Sequence, residues 1–190
     1  MDEGTPTMSV TQLMSILRHV SRKRAVSPRD IEDLFSVHFS GSCPLQGGRF
    51  LEEQVLPAGG SFRMVMFRHS SDLLVDDWVL SADVAPSVQI AEVELRRSLP
   101  HLSTGPVHIN PDIGPEGEVL FELNEAHQTN LFGFHYRSRI LNGFAVHRPA
   151  DGKKGTGRRG RFGRRGRFCL LTPEKKRRAT IASGAGMCDL

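Results

Sequence analysis

The sequence predicts an α+β fold: an antiparallel sheet of about five or six strands packed against two or three helices, followed by a disordered basic C-terminal tail. Two segments near the N-terminus combine helix-start signals with apolar residues at helical spacing, and short β-rich runs between polar turns follow them. After residue 150 the composition changes to glycine and arginine. We therefore expect residues 1–8 to be flexible, residues 9–149 to form a single α+β domain, and residues 150–190 to form a disordered Gly/Arg-rich tail.

Two helices are expected first along the chain. Ser9 and Gln12 have the spacing of a capping box, and Ser27 followed by Pro28 and Asp30 is typical of a second helix start. Both helices would present an apolar stripe to the sheet: Leu13, Ile16, Leu17 and Val20 in the first, and Ile31, Leu34 and Phe35 in the second.

The β-rich section begins after a Gly/Pro-rich stretch. Asn142-Gly143 is the clearest turn signal in the chain, because both residue types accept the positive φ angles of a two-residue type I′ hairpin. Residues 88–99 allow either helix or strand, and the i,i+4 pair of Glu92 and Arg96 favours helix. Strands are expected near residues 50–56, 62–67, 73–80 and 117–123, and on both sides of Asn142-Gly143.

The charge of the chain is unevenly distributed. Residues 151–190 contain 12 Lys and Arg against three acidic residues, a net charge of +9. Residues 1–150 contain 13 basic and 18 acidic residues, a net charge of −5. An acidic body joined to a strongly basic segment indicates a polyanionic partner.

The basic segment contains a repeated hexapeptide, Gly-Arg-Arg-Gly-Arg-Phe, over residues 157–168. Guanidinium groups pair with phosphates and stack on bases, phenylalanine rings add stacking surfaces, and glycines let the chain follow an irregular backbone. In composition the repeat resembles the RGG/RG-type tails of RNA-associated proteins. The predicted nucleic-acid-binding residues are Arg158, Arg159, Arg161, Phe162, Arg164, Arg165, Arg167 and Phe168.

A second basic cluster, Lys175, Lys176, Arg177 and Arg178, resembles a nuclear import signal. Thr180 follows it in a sequence that resembles a basophilic kinase site, so phosphorylation would remove charge from the cluster. Two other interpretations of the tail stay open: it serves only as an import signal, or it is a solvated extension without a specific role.

No catalytic motif is present in the sequence, and neither a metal site nor a cofactor is expected. Asp83 is interpreted as an edge charge beside a strand, and Glu118 as part of a Gly/Pro loop that is either an acidic patch or a solvated turn. His135 and His147 are close enough in a hairpin at Asn142-Gly143 to meet, but solvent-side or satisfied histidines are the favoured interpretation over metal ligands. An enzyme built on the β-rich section would need a concave pocket that unites at least two titratable groups with displaced pKa values.

These observations predict a non-enzymatic, nucleic-acid-associated protein, with RNA or single-stranded nucleic acid bound by the tail and an unidentified protein partner bound by the acidic body. The alternative is a protein-interaction or inhibitory domain with an incidental basic tail. Neither a membrane span nor a secretory signal is visible, so an intracellular, nuclear location is expected. The odd number of cysteines, three, predicts free thiols.

Overall fold

The computed structural model describes residues 7–23, 25–72, 76–108 and 117–150. The predicted tail lies outside these ranges. The described elements, in chain order, are α1 (Val10–Arg22), α2 (Pro28–Phe35), β1 (Ser42–Leu45), a short 3-10 helix (Gln46–Gly48), β2 (Phe50–Val55), β3 (Phe62–Ser70), β4 (Trp78–Val84), α3 (Glu92–Ser98), β5 (Ser103–His108), β6 (Glu118–Asn124), β7 (Thr129–His135) and β8 (Leu141–Arg148).

The strands form one antiparallel sheet in the order β1-β2-β3-β4-β8-β7-β6-β5. It consists of two four-strand meanders whose last strands, β4 and β8, pair in the middle of the sheet. The eight described strands exceed the predicted five or six. The prediction missed β1 and β5, which contain Pro44 and Pro106. A proline argues against a central strand, but both strands lie at the sheet edges, where proline is tolerated.

The start signals predicted for α1 and α2 are confirmed. Ser9 and Gln12 form a capping box at α1, and Ser27 and Asp30 form another at α2. Residues 88–99 do contain a helix, α3, but it begins only at Glu92. The reason is tertiary, because Ala91 forms an isolated bridge with Ile140 and thereby holds the preceding backbone extended.

One continuous core lies between the helices and one face of the sheet. Leu13, Leu17, Ile31, Phe35 and Leu95 of the helices cluster with alternate strand residues that include Val65, Phe67, Leu80, Phe121, Phe132, Phe134 and Val146. Because side chains alternate across a strand, the intervening residues belong to the opposite face of the sheet. We call that opposite surface the open face.

The Asn142-Gly143 turn was predicted wrongly. Both residues lie inside β8, and the chain reverses instead between His135 and Ile140. Within this loop Arg139 takes the left-handed conformation (φ 56°). Asn142 is the extra residue where the β7–β8 register shifts, between the pairs Gly133–Gly143 and Phe134–Leu141. Residue types that favour a turn thus form a bulge within the sheet.

No helix within the described ranges is long and apolar enough to cross a membrane. Cys43 of β1 takes part in a disulfide, so the prediction of free thiols is wrong for this residue.

Candidate functional site on the open face

All the residues predicted from the sequence to bind nucleic acid lie outside the described residues, as do Lys175–Arg178 and Thr180. The structure therefore describes only what the acidic body contributes.

Several basic side chains of the acidic body form ion pairs with neighbouring carboxylates. Arg68 Nη2 lies 2.6 Å from Glu52 Oε2, and Arg96 Nε lies 2.9 Å from Glu92 Oε1. Lys23 pairs with Asp30, and this hydrogen bond, together with the amide of Ser27, lowers the pKa of Asp30 to about 2. These charges are neutralised locally, so they add little to any basic surface of the body.

The open face is organised as three rows of cross-strand neighbours. One row is polar and runs through Glu52, Arg68, Val79, His147 and Thr129. The next is mixed: Met66, Ala145 and Leu131 are apolar, while Gln54, Ser81 and Glu122 are polar. The third runs through Met64, Asp83, Gly143, Gly133 and Leu120.

Small residues make the centre of the open face shallow. Ser81, Ala145, Gly143 and Gly133 lie on the three middle strands β4, β8 and β7, while larger apolar residues flank them on β3 and β6. The two glycines are required by close approaches. A Cβ on Gly133 would lie 2.0 Å from Glu118 Oε1, and one on Gly143 would lie 2.8 Å from the Ala82 carbonyl oxygen.

Two carboxyl groups lie beside this pair of glycines. Asp83 Oδ1 would be 3.2 Å from a Cβ on Gly143, and it is buried without a hydrogen-bond partner among the described residues. Burial raises the pKa of Asp83 to about 6, against the opposing effect of the Arg63 charge. Glu118 is 5% exposed; burial raises its pKa, the hydrogen bond from Asn142 opposes this rise, and the charge of Asp83 adds to it.

A chain of hydrogen bonds connects Glu118 to the edge of the face. Arg63 Nη2 donates to Asn142 Oδ1 (3.1 Å), and Asn142 Nδ2 donates to Glu118 Oε1 (3.3 Å). Arg63 and Asn142 both occupy register irregularities, Arg63 between β3 and β4 and Asn142 between β7 and β8. The two bulges therefore bring together residues that are 79 positions apart in the sequence.

A pocket of about 220 Å³ opens beside this network. Arg63, Asn142, Gln89, His135 and Ser138 supply its polar lining, and Val84, Val88, Ile140 and Leu141 are among its apolar lining residues. Neither Asp83 nor Glu118 lines this pocket. The two carboxyl groups with raised pKa values therefore lie on the sheet next to the pocket and not in it. Within the described part of the chain, no group of three or more His, Cys, Asp or Glu side chains is arranged to hold a metal ion.

A separate polar pair is buried on the helix-covered face. His69 Nε2 lies 3.5 Å from Glu53 Oε1, and the His69 ring stacks on Phe67 with their centroids 5.2 Å apart. Burial raises the pKa of Glu53, while the hydrogen bond and the charge of His69 lower it. This pair is enclosed by the core side of the sheet, so we assign it to the packing of β2 against β3.

The sequence interpretation placed two of these groups incorrectly. Glu118 is not in a solvated loop but begins β6 and is buried, and Asp83 is a residue of β4, one of the two middle strands. His135 pairs with Glu118 and His147 with Thr129, at opposite ends of the β7–β8 pair, so the two histidines do not meet. Of the residues that lie together here (Arg63, Asn142, Glu118 and Asp83), only Asn142 was part of a sequence signal, and that signal, Asn142-Gly143, was interpreted as a turn.

No protein-family model, curated protein or solved structure matches this chain.

Proposed function

We propose that this chain is a non-enzymatic, nucleic-acid-associated protein in which residues 151–190 bind RNA or single-stranded nucleic acid. The observation that carries this proposal is the separation of charge, −5 in residues 1–150 and +9 in residues 151–190. The ion pairs of the body support it, because Arg68, Arg96 and Lys23 are already paired with carboxylates of neighbouring residues. Polyanion binding is therefore assigned to the basic segment.

The repeat of residues 157–168 supplies the chemistry of binding. Its six arginines contact phosphates and stack on bases, and Phe162 and Phe168 add aromatic surfaces for stacking. Neither contact reads base edges in a fixed geometry, so binding is nearly independent of sequence. The acidic domain in turn binds a protein partner and gives the assembly its specificity.

The second basic cluster, Lys175–Arg178, directs the protein to the nucleus in this proposal. Phosphorylation of Thr180 would place close to two negative charges beside the cluster and weaken both import and RNA binding.

The proposal is tested by a salt titration of single-stranded RNA binding. About eight phosphate contacts give a slope of log K against log salt near −6, because each contact contributes roughly −0.7 on a single strand. Replacing the six arginines of the repeat (Arg158, Arg159, Arg161, Arg164, Arg165 and Arg167) by glutamine should reduce the magnitude of the slope by about 4.

The matched control changes basic residues of the body: Arg18→Gln together with Arg29→Gln should leave the slope unchanged. Equal slopes for the wild-type chain and the repeat variant would contradict the assignment of RNA binding to residues 157–168.

The second candidate is a protein-interaction or inhibitory domain whose basic segment is incidental. Three apolar residues of the open face favour it, because Met66, Ala145 and Leu131 face away from the core. Weak, salt-insensitive RNA binding by the wild-type chain would favour this candidate over the first.

A further inference from the structure

We propose that the repeat of residues 157–168 docks on the open face of its own sheet, and that RNA binding releases it. This inference deepens the proposed function and rests on it: the segment that binds RNA would be held by the acidic body when no RNA is present. The occupant is thus a defined segment of this chain.

The open face has no cover from the described helices. Helices α1, α2 and α3 contribute their buried residues to the core on the other face of the sheet. Most open-face side chains, including Met64, Met66 and Leu131, are only half-buried. These apolar side chains on β3 and β7 gain stability when they are covered.

The charge of the open face is complementary to the repeat. Five acidic residues lie on the face or beside it, against two arginines: Glu52, Asp77, Asp83, Glu118 and Glu122, with Arg63 and Arg68. The buried Asp83 Oδ1 has no hydrogen-bond partner among the described residues. Six arginines within twelve residues would supply the missing positive charge and the donors.

The spacing of the repeat fits the width of the apolar surface. Phe162 and Phe168 are six residues apart, which corresponds to about 20 Å in an extended chain. Strands β3 and β6 are separated by three intervening strands, so their side chains are about 19 Å apart. One phenylalanine would therefore lie over Met64 and Met66 while the other lies over Leu120, with the arginines between them above β4, β8 and β7.

The connection to the domain is long enough for this contact. Strand β8 ends at Arg148, and Gly143 lies five residues back along the same strand, about 17 Å away. The residues from Ala150 to Gly157 span up to about 23 Å when extended. The repeat can thus reach the part of the open face that lies above the glycine pair and the two buried carboxyl groups.

The test uses methionine methyl NMR on the full chain. Met64 and Met66 report on the open face, while Met8 and Met14, which pack on the helix side, serve as internal controls. Changing the six arginines of the repeat to glutamine should shift the Met64 and Met66 methyl resonances and leave those of Met8 and Met14 in place. Adding a poly(U) oligonucleotide to the wild-type chain should move the same two resonances toward their positions in the variant.

The matched charge control replaces Lys175, Lys176, Arg177 and Arg178 by glutamine, which should leave Met64 and Met66 unshifted. Unchanged Met64 and Met66 resonances in the repeat variant would overturn the docking, even if RNA binding is lost as expected. If instead those resonances shift in the variant but the wild-type chain does not bind poly(U), the docking stands while RNA release and the proposed function fail.

Discussion

At the scale of single residues, Gly133 is the described glycine with the closest neighbour. A side chain there would occupy the space that Glu118 Oε1 fills, since the distance to an added Cβ is 2.0 Å. Gly133→Ala should therefore destabilise the fold by about 1–3 kcal/mol, because Glu118 must leave its buried position and lose its bond to Asn142. Urea unfolding measures this loss.

Gly59 provides the matched control, because an added Cβ meets nothing within 4 Å there. Gly59→Ala should be close to neutral. The cause is tested by a double-mutant cycle: in a Glu118→Ala background, Gly133→Ala should cost clearly less than in the wild-type chain. Equal costs in the two backgrounds would show that the glycine is needed for another reason.

Asp83 makes stability depend on pH. Its folded-state pKa is raised to about 6 from an ordinary value of 3.8, so the folded state favours the protonated form. The protonated carboxyl contributes stability that is fully present below about pH 4 and is lost as the pH rises through 6. Asp83→Asn should therefore raise the free energy of unfolding at pH 7.5 by up to about 2–3 kcal/mol and change it little at pH 4.

The measurement is urea unfolding of both chains at the two pH values, made with the six repeat arginines replaced by glutamine so that a docked repeat does not neutralise Asp83. Asp33→Asn, at an exposed position of α2, removes the same charge and should show no such difference between pH 4 and 7.5. Burial also raises the pKa of Glu118, so this carboxyl contributes a loss of stability in the same direction as the pH rises. An Asp83→Asn chain with equal gains at both pH values would argue against a raised pKa at this position.

At the scale of elements, the two capping boxes determine where α1 and α2 begin. Ser27 Oγ accepts from the Asp30 amide (3.3 Å), and the Asp30 carboxylate accepts from the Ser27 amide (2.8 Å). Ser27→Ala removes the acceptor for the Asp30 amide and should cost about 1 kcal/mol of stability in thermal or urea unfolding.

Ser15 is the control for that prediction, because it is an exposed residue in the interior of α1. Ser15→Ala should be neutral or slightly stabilising, since alanine has the higher helix propensity. A cost at Ser15 as large as the cost at Ser27 would mean that the cap does not contribute as argued.

These same elements show how far local sequence signals extend. A capping box is a contact between residues three apart, so the starts of α1 and α2 follow from the sequence alone. The start of α3 does not, because the bridge between Ala91 and Ile140 joins segments 49 positions apart. Strands β1 and β5 were missed for a related reason: their prolines are acceptable only because these strands lie at the sheet edges.

At the scale of the whole molecule, the topology produces the open face and its acidic character. Pairing of β4 with β8 joins the two meanders and places Asp83 next to Gly143, which in turn pairs with Gly133. The three described α-helices lie on the other face, so none of them covers this surface. The RNA titration tests whether the basic segment binds nucleic acid, and the methionine NMR tests whether the repeat docks on the open face.

The sequence by itself determined the α+β class, the two N-terminal helix starts and the separation of an acidic body from a basic segment. These are local or compositional properties, which depend on near neighbours or on counts of residues. Only the tertiary structure decided that Asn142-Gly143 lies within a strand, that Glu118 is buried, and that Arg63, Asn142, Glu118 and Asp83 lie together. Strand order and register set those neighbours across tens of residues, and a periodic pattern along one chain carries no record of which strands will pair.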